Sequence, residues 1–207
     1  MKRTVIIVLL LGIIGITVKL SQNYKKAVHI NRKDNENAIA IRLNDHVNRI
    51  KGFIDTKVKF NNEIAFFVDM KINSGKKRFF VYDFKKDKII DKGLVAHGSG
   101  SETKEFGHLL FSNEPNSLCS SLGKYSIGSS YTGRFGKAYK LYGLDSTNNN
   151  ALIRNIVLHK YDRVPYLEKD GNICNSYGCP MVNKNFFERL EKILDNSNKT
   201  ILLEIYY

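Results

Sequence analysis

The chain has 207 residues, a length that suits one domain and a short appendage. Hydrophobic residues make up 43% of it, which is ample for a core, and no internal repeat or low-complexity tract is present. The formal charge of +13 indicates either a solvated, lysine-rich surface or attraction to a polyanion. Because no nucleic-acid-binding motif and no clustered basic helix with interleaved aromatic residues is found, we expect no nucleic-acid partner.

The N-terminus has the pattern of an export signal. Lys2 and Arg3 precede an uncharged, mostly apolar run over residues 4–18, and Lys19 ends it. We expect residues 1–19 to be a signal peptide or signal anchor that contacts the membrane. The absence of an Ala-x-Ala site favours an uncleaved anchor over a removed signal peptide. The expected location is extracytoplasmic, in the periplasm or cell envelope.

Two further segments precede the predicted domain. Residues 20–37 are polar and are interpreted as a linker. Residues 38–59 are predicted to contain an amphipathic helix that packs on the domain rather than on a membrane. Its apolar positions follow helical spacing: Ile39, Leu43, Val47, Ile50 and Ile54.

The pattern from residue 60 onward is that of a β-rich domain. Residues 64–70 predict a strand, and residues 78–84 and 88–96 predict a hairpin. A capping box from Asn185 to Glu188 predicts the start of a helix, and residues 200–207 predict a last strand. The predicted fold is therefore mainly β (α+β): a single β-rich domain over residues 60–207 with flanking helices, after an N-terminal hydrophobic segment.

A short turn, Ser176-Tyr177-Gly178-Cys179-Pro180-Met181, carries the strongest chemical signal. Gly178 allows a sharp turn or a close approach, and Pro180 restricts Cys179 to extended conformations. A thiol on such a corner, with backbone amides nearby, has the arrangement of a nucleophile beside part of an oxyanion hole. The alternative is a buried cysteine that acts only as a small hydrophobic residue.

His159 supplies the second half of a nucleophile pair. It ends an apolar run over residues 156–158 that predicts a buried strand, and it lies 20 positions before Cys179. The excursion over residues 161–175 would bring the two side chains together. Histidine at a strand end, followed by a loop and a cysteine on a glycine turn, is typical of a Cys/His pair.

With these residues the chain resembles the murein L,D-transpeptidase catalytic domain (YkuD-like) family of cell-wall enzymes, over about residues 60–207. The spacing from His159 to Ser-x-Gly-Cys at 176–179 carries the likeness. Other motifs follow in the same order: Lys77 to Asp83, Val95 to Gly98, Phe111 to Asn113, Ser120 to Gly123, Tyr131 to Gly133, Gly143-Leu144 and Arg154 to His159. Tyr177 stands where many members have His.

The resemblance implies a peptidoglycan L,D-transpeptidase that needs no cofactor and acts on stem peptides. Cys179 would attack a stem tetrapeptide and pass it to an amine acceptor, with His159 as base and then acid. The imidazolium of His159 would lower the pKa of the thiol. Amides near Tyr177, Gly178 and Cys179 would hold the oxyanion, and Ser176 would steady the turn or the substrate. An L,D-carboxypeptidase or hydrolase with the same pair, and a non-catalytic wall-binding module, are the alternatives.

The remaining candidates are polar residues near these motifs. Arg154, expected on a strand and facing away from its neighbour Asn155, could bind a substrate carboxylate or form a structural ion pair. His97 could be a second polar group of the cleft or a turn histidine. Cys119 and Cys174 could pair as a disulfide in an exported chain. No Cys/His cluster has zinc-like spacing, so we predict no metal.

Overall fold

The structure is a computed structural model that describes residues 2–105 and 107–207. The described residues fall into two compact units, one up to residue 45 and one from residue 46 onward. The first unit is helical and belongs to α1, which runs Lys2–Asp55. Residues 20–37, interpreted above as a linker, are therefore helical, while the predicted domain boundaries stay predictions.

The described helices contain no segment that is both long and apolar enough to cross a membrane. The side chains of residues 4–18, on which the export-signal prediction rests, lie outside the described part of the structure.

The second unit is built on one sheet. Its eight described strands are β1 (Ile64–Asp69), β2 (Phe79–Asp83), β3 (Lys88–Gly93), β4 (Gly123–Gly133), β5 (Gly136–Gly143), β6 (Val157–Lys160), β7 (Met181–Val182) and β8 (Leu202–Tyr206). The order across the sheet is β3-β2-β1-β8-β4-β5-β6-β7. The pairs β1–β8 and β6–β7 are parallel, and the others are antiparallel. The predicted β-rich fold with flanking helices is confirmed.

Helix α2 (Lys184–Asp195) covers part of the sheet. Phe186, Phe187 and Leu190 are buried in the main core with residues of β1, β2, β4, β5, β6 and β8. Each large apolar side chain buried in this way stabilises the fold by about 1.5–3 kcal/mol. The helix begins two residues earlier than the predicted capping box, because the side chain of Asn183 caps it by accepting the Asn185 N–H.

The last turns of α1 pack on the opposite end of the chain. His46 stacks on Tyr206 with ring centroids 3.6 Å apart, and its Nδ1 lies 3.0 Å from a carboxylate oxygen of Glu204. Val47, Ile50 and Ile54 are buried on the same turns. These contacts tie the end of α1 to β8, the central strand that β1 and β4 flank.

Candidate active site

The glycine turn before β7 has the geometry that its sequence predicts. Gly178 takes a φ of 110°, and a Cβ there would stand 2.7 Å from the carbonyl oxygen of Cys119. That approach is too close for any side chain, so only glycine fits. Ser176 is held from both sides: its N–H donates to His97 O, and its carbonyl accepts the N–H of Ser99, each at 2.8 Å. The turn is thus fastened to the segment that follows β3.

The thiol of Cys179 lies against the start of β6. Its Sγ accepts the backbone N–H of Val157 at 3.4 Å, and the S–H donates to the carbonyl of Asn155 at 3.7 Å. Burial raises the pKa of the Cys179 thiol, while the Val157 N–H and the charge of Arg154 act in the opposite direction. The side chain is partly exposed, so a substrate can reach it.

His159 is buried on β6, and its side chain makes one hydrogen bond in the described part of the chain. Its Nδ1–H donates to the carbonyl oxygen of Lys160 at 2.9 Å. Because a carbonyl only accepts, this bond assigns the proton to Nδ1 and leaves Nε2 with a lone pair in the neutral ring. Nε2 bonds to no described atom. Burial lowers the pKa of His159, and the Lys160 carbonyl opposes that shift.

The two candidate catalytic residues lie at the same edge of the sheet. Parallel pairing sets His159 beside Met181, two residues after Cys179. The thiol touches Val157, two residues before His159, and a strand rises about 7 Å over that interval. In the described part of the chain no hydrogen bond joins the imidazole to the thiol, since the ring bonds Lys160 and the S–H bonds Asn155.

The protonation state of the resting pair differs from the expectation. A raised pKa at Cys179 and a lowered pKa at His159 both favour the neutral thiol and the neutral imidazole. The sequence-based expectation of an imidazolium that lowers the thiol pKa does not describe this state. The cause is physical: loss of solvation is the largest influence on both pKa values, and it disfavours the charged form of each group.

Two of the three amides of the turn are open. The Gly178 N–H donates to the Ser176 hydroxyl at 3.1 Å. The N–H groups of Tyr177 and Cys179 donate to no atom that the structure describes. Tyr177 itself is 77% exposed. Tyr177 and Cys179 are therefore the free donors beside the thiol.

The side chain of Arg154 forms hydrogen bonds with the loop over residues 112–121. It lies in a turn rather than on a strand, because Asn155 takes a φ of 54° and β6 begins at Val157, so the prediction from strand alternation is wrong. Its guanidinium donates to the carbonyls of Ser112 and Cys119 and to the hydroxyls of Ser117 and Ser121. Its Nη2 would lie 3.1 Å from a Cβ placed on Gly178.

His97 belongs to a buried polar network. Nη2 of the fully buried Arg78 donates to its Nδ1 at 2.8 Å, and its Nε2–H donates to Glu102 at 2.9 Å. Burial, together with the charge of Arg78, lowers the pKa of His97. These three residues line a cavity of about 90 Å³. Both ring nitrogens are used inside the protein, and His97 meets the glycine turn through its backbone carbonyl.

Comparison with known proteins decides the family. The family model of the L,D-transpeptidase catalytic domain, YkuD_2, matches residues 37–203, which include His159 and Cys179. This chain belongs to that family. The matched range thus covers β1 to β7 and the first two residues of β8.

Solved structures match part of this chain at low sequence identity. An L,D-transpeptidase from Xylanimonas cellulosilytica has 11% identity and a TM-score of 0.37, covering 70% of this chain and 60% of that one. The helical cell shape determining protein Pgp2 from Campylobacter jejuni has 16% identity and a TM-score of 0.39, covering 70% and 48%. An L,D-transpeptidase from Mycobacterium tuberculosis has 12% identity and a TM-score of 0.38, covering 70% and 58%. This chain therefore spans about half to three fifths of those chains. No curated protein matches the sequence.

The L,D-transpeptidase domain holds its three cysteines as free thiols, so Cys119 and Cys174 are not paired.

The sequence analysis did not select three residues that contact its candidate histidines. Arg78 and Glu102 bond His97, and Phe135 contacts His159. The sequence does mark Arg78, because it is a charged residue directly before the apolar run of β2. Phe135 had a weaker one, an aromatic residue at a turn between two glycines.

Proposed function

We propose that this protein is a peptidoglycan L,D-transpeptidase in which Cys179 is the nucleophile and His159 the general base and acid. The observation that carries the proposal is the family match over residues 37–203, a range that contains both residues. The contact between the Cys179 thiol and the strand of His159 supports it. The substrate class is the stem tetrapeptide of peptidoglycan, with an amine of a second stem as acceptor.

The first half-reaction starts from the neutral pair. His159 Nε2 takes the proton of the Cys179 thiol, and the sulfur attacks the carbonyl carbon of the L-configured residue in the stem. The N–H groups of Tyr177 and Cys179 receive the oxyanion of the tetrahedral intermediate. The intermediate collapses, the C–N bond breaks, and the leaving D-amino acid takes the proton from the His159 imidazolium. The product is a thioester on Cys179.

The second half-reaction repeats these roles in reverse. The acceptor amine attacks the thioester carbonyl and loses a proton to Nε2 of His159. The C–S bond then breaks, and the Cys179 sulfur recovers the proton from the imidazolium. The new amide joins the two stems. Because the buried pair favours the neutral state, thiolate forms only as the substrate is attacked.

The proposed location is the cell envelope. The export signal predicted over residues 1–19 and the formal charge of +13 support it, since the proposed substrate is an extracytoplasmic polymer and an envelope carries anionic groups. Ser176 is assigned to the turn, because its hydroxyl accepts the Gly178 amide and leaves the other two amides for the oxyanion.

The test is incubation of the full chain with a disaccharide tetrapeptide, followed by mass spectrometry of the products. Dimers cross-linked through the L-configured centre are expected, and Cys179→Ala should yield none. Tripeptides without dimers would mean that water resolves the thioester, and the activity would then be that of a carboxypeptidase. Unchanged substrate with the folded wild-type protein would contradict the proposal.

A further inference from the structure

The tip of the hairpin between β4 and β5 folds over the ring of His159. The strands pair out to Gly133 and Gly136, and Gly136 takes a φ of 80°, which closes a tight turn after Arg134 and Phe135. The Phe135 ring stacks on the imidazole, with centroids 4.9 Å apart and planes inclined by 20°. An exposed hairpin tip therefore places an aromatic ring directly on the candidate base.

Phe135 separates His159 from solvent on this side. The histidine is 3% exposed, whereas Phe135 is 44% exposed, so the phenyl ring is the outer layer of the pair. Tyr161 packs edge-on against Phe135, with centroids 5.6 Å apart and planes at 82°, and supports it from the end of β6. Sheet pairing with Ala138 and Met181 fixes the backbone of His159, whereas the Phe135 ring contacts the imidazole of His159.

We propose that Phe135 is a positioning residue: it holds the plane of the His159 imidazole and keeps bulk water from it, so that Nε2 stays a free base. This inference rests on the proposed function, in which His159 is the general base. Phe135 acts only through His159. An aromatic stack of this kind contributes about 0.5–1.5 kcal/mol, enough to select one ring orientation.

The charged groups around His159 set the direction of the expected effect. Arg134 lies over Phe135 at 5.6 Å, Lys160 follows His159, and Lys137 on β5 is paired with Glu191 and Asp195 of α2. Tyr161 packs on Phe135, and the Cys179 thiol accepts the N–H of Val157, two residues before His159. No carboxylate bonds the imidazole in the described part of the chain, so burial and the Lys160 carbonyl determine its acidity.

Removing the phenyl ring should let water solvate the imidazolium. Burial now lowers the pKa of His159, so Phe135→Ala should raise that pKa toward the ordinary value of about 6.5. The variant base would then be protonated over a higher pH range. We expect its acylation rate to fall several-fold more at pH 6 than at pH 8, relative to wild type.

The direct experiment is an NMR titration of the full-length chain labelled at histidine, with His159 assigned by a His159→Gln variant. Phe135→Ala should raise the titration midpoint of His159 and remove the ring-current shift of its Hε1 and Hδ2. Phe135→Tyr keeps the ring and should titrate like wild type. The matched control is Tyr131→Ala on the same hairpin, a residue that is 39% exposed, and it should change neither signal.

An unchanged midpoint and unchanged ring shifts in Phe135→Ala would overturn the inference. If Phe135→Ala does not fold, Phe135→Leu retains bulk and must still lose the ring-current shift. The titration needs no turnover, so it separates the two claims. A shifted titration with no transpeptidation by wild type would sink the proposed function alone, whereas normal transpeptidation with an unshifted titration would sink the positioning role alone.

Discussion

The hydroxyl of Ser176 accepts the backbone N–H of Gly178 at 3.1 Å, inside the turn that presents Cys179. This bond closes the turn on itself and occupies one of its three amides. Because Ser176 is also bonded to His97 and Ser99 through its backbone, the turn is a rigid extension of the segment that follows β3. The position of the nucleophile therefore depends on backbone contacts more than on its own side chain.

Gly178→Ala should damage both stability and acylation. The new Cβ would meet Cys119 O at 2.7 Å, in a backbone with φ of 110° that side chains rarely adopt. Strain of this kind costs about 1–3 kcal/mol. Urea denaturation should show a lower free energy of unfolding, and acylation should fall by at least tenfold.

Gly52→Ala is the matched control, because a Cβ on this helical glycine meets nothing within 4 Å. Alanine is favoured over glycine in a helix by about 0.8–1 kcal/mol, so this variant should be more stable than wild type. If Gly178→Ala were as stable and as active as Gly52→Ala, the described geometry of the turn would be wrong.

Arg154→Gln should make the Cys179 thiol less acidic. The charge of Arg154 lowers the pKa of this thiol, so its removal should move the pH profile of Cys179 alkylation by iodoacetamide upward. Arg154→Lys keeps the charge but not the forked donors to Ser112 and Cys119, so it should shift the profile less and still loosen the loop.

The control for this measurement is Arg163→Gln, because the charge of Arg163 acts on Cys174. It should leave the Cys179 profile unchanged. Equal profiles for wild type and Arg154→Gln would show that Arg154 has no electrostatic effect on the thiol.

The stability of the domain should fall as the pH drops below about 6.5. Burial lowers the pKa of His97 and of His159 in the folded state, so the unfolded chain binds protons first as the pH decreases through the ordinary histidine value. Neither residue contributes to this effect well above that pH, where both states are neutral. Urea midpoints measured at pH 7.5 and 5.5 should show the loss.

His97→Gln tests the contribution of one of these residues. Its amide can accept from Arg78 and donate to Glu102, as the imidazole does, but it does not titrate in this range. The drop in the urea midpoint between pH 7.5 and 5.5 should therefore be smaller than in wild type. A drop of equal size would assign the pH dependence to other groups.

Local patterns were sufficient for most of the fold and for selecting the candidate pair, whose catalytic role stays a prediction. The strand that ends at His159, the turn around Gly178 and the hairpin of β2 and β3 each follow from neighbouring residues. The stack of Phe135 on His159 joins the turn between β4 and β5 to a residue of β6, and it depends on the register of β5 with β6. No local pattern carries that information.

Other differences arise where a single backbone angle or bond decides the outcome. The left-handed φ of Asn155 moves Arg154 off the strand and turns its guanidinium toward the loop over residues 112–121. The bond from Asn185 N to the Asn183 side chain moves the start of α2. The pKa shifts of Cys179 and His159 are opposite to the expectation, because burial affects each pKa more than any favourable charge nearby does.

The central claim is that Cys179 is the nucleophile, and the most direct test is the mass of the protein after incubation with a carbapenem, a mimic of the donor peptide. The account predicts one acyl adduct that maps to Cys179, is absent in Cys179→Ala, forms much more slowly in His159→Ala, and persists in Cys119→Ala and Cys174→Ala. An adduct that maps to Cys174, or that forms at full rate in Cys179→Ala, would contradict the account.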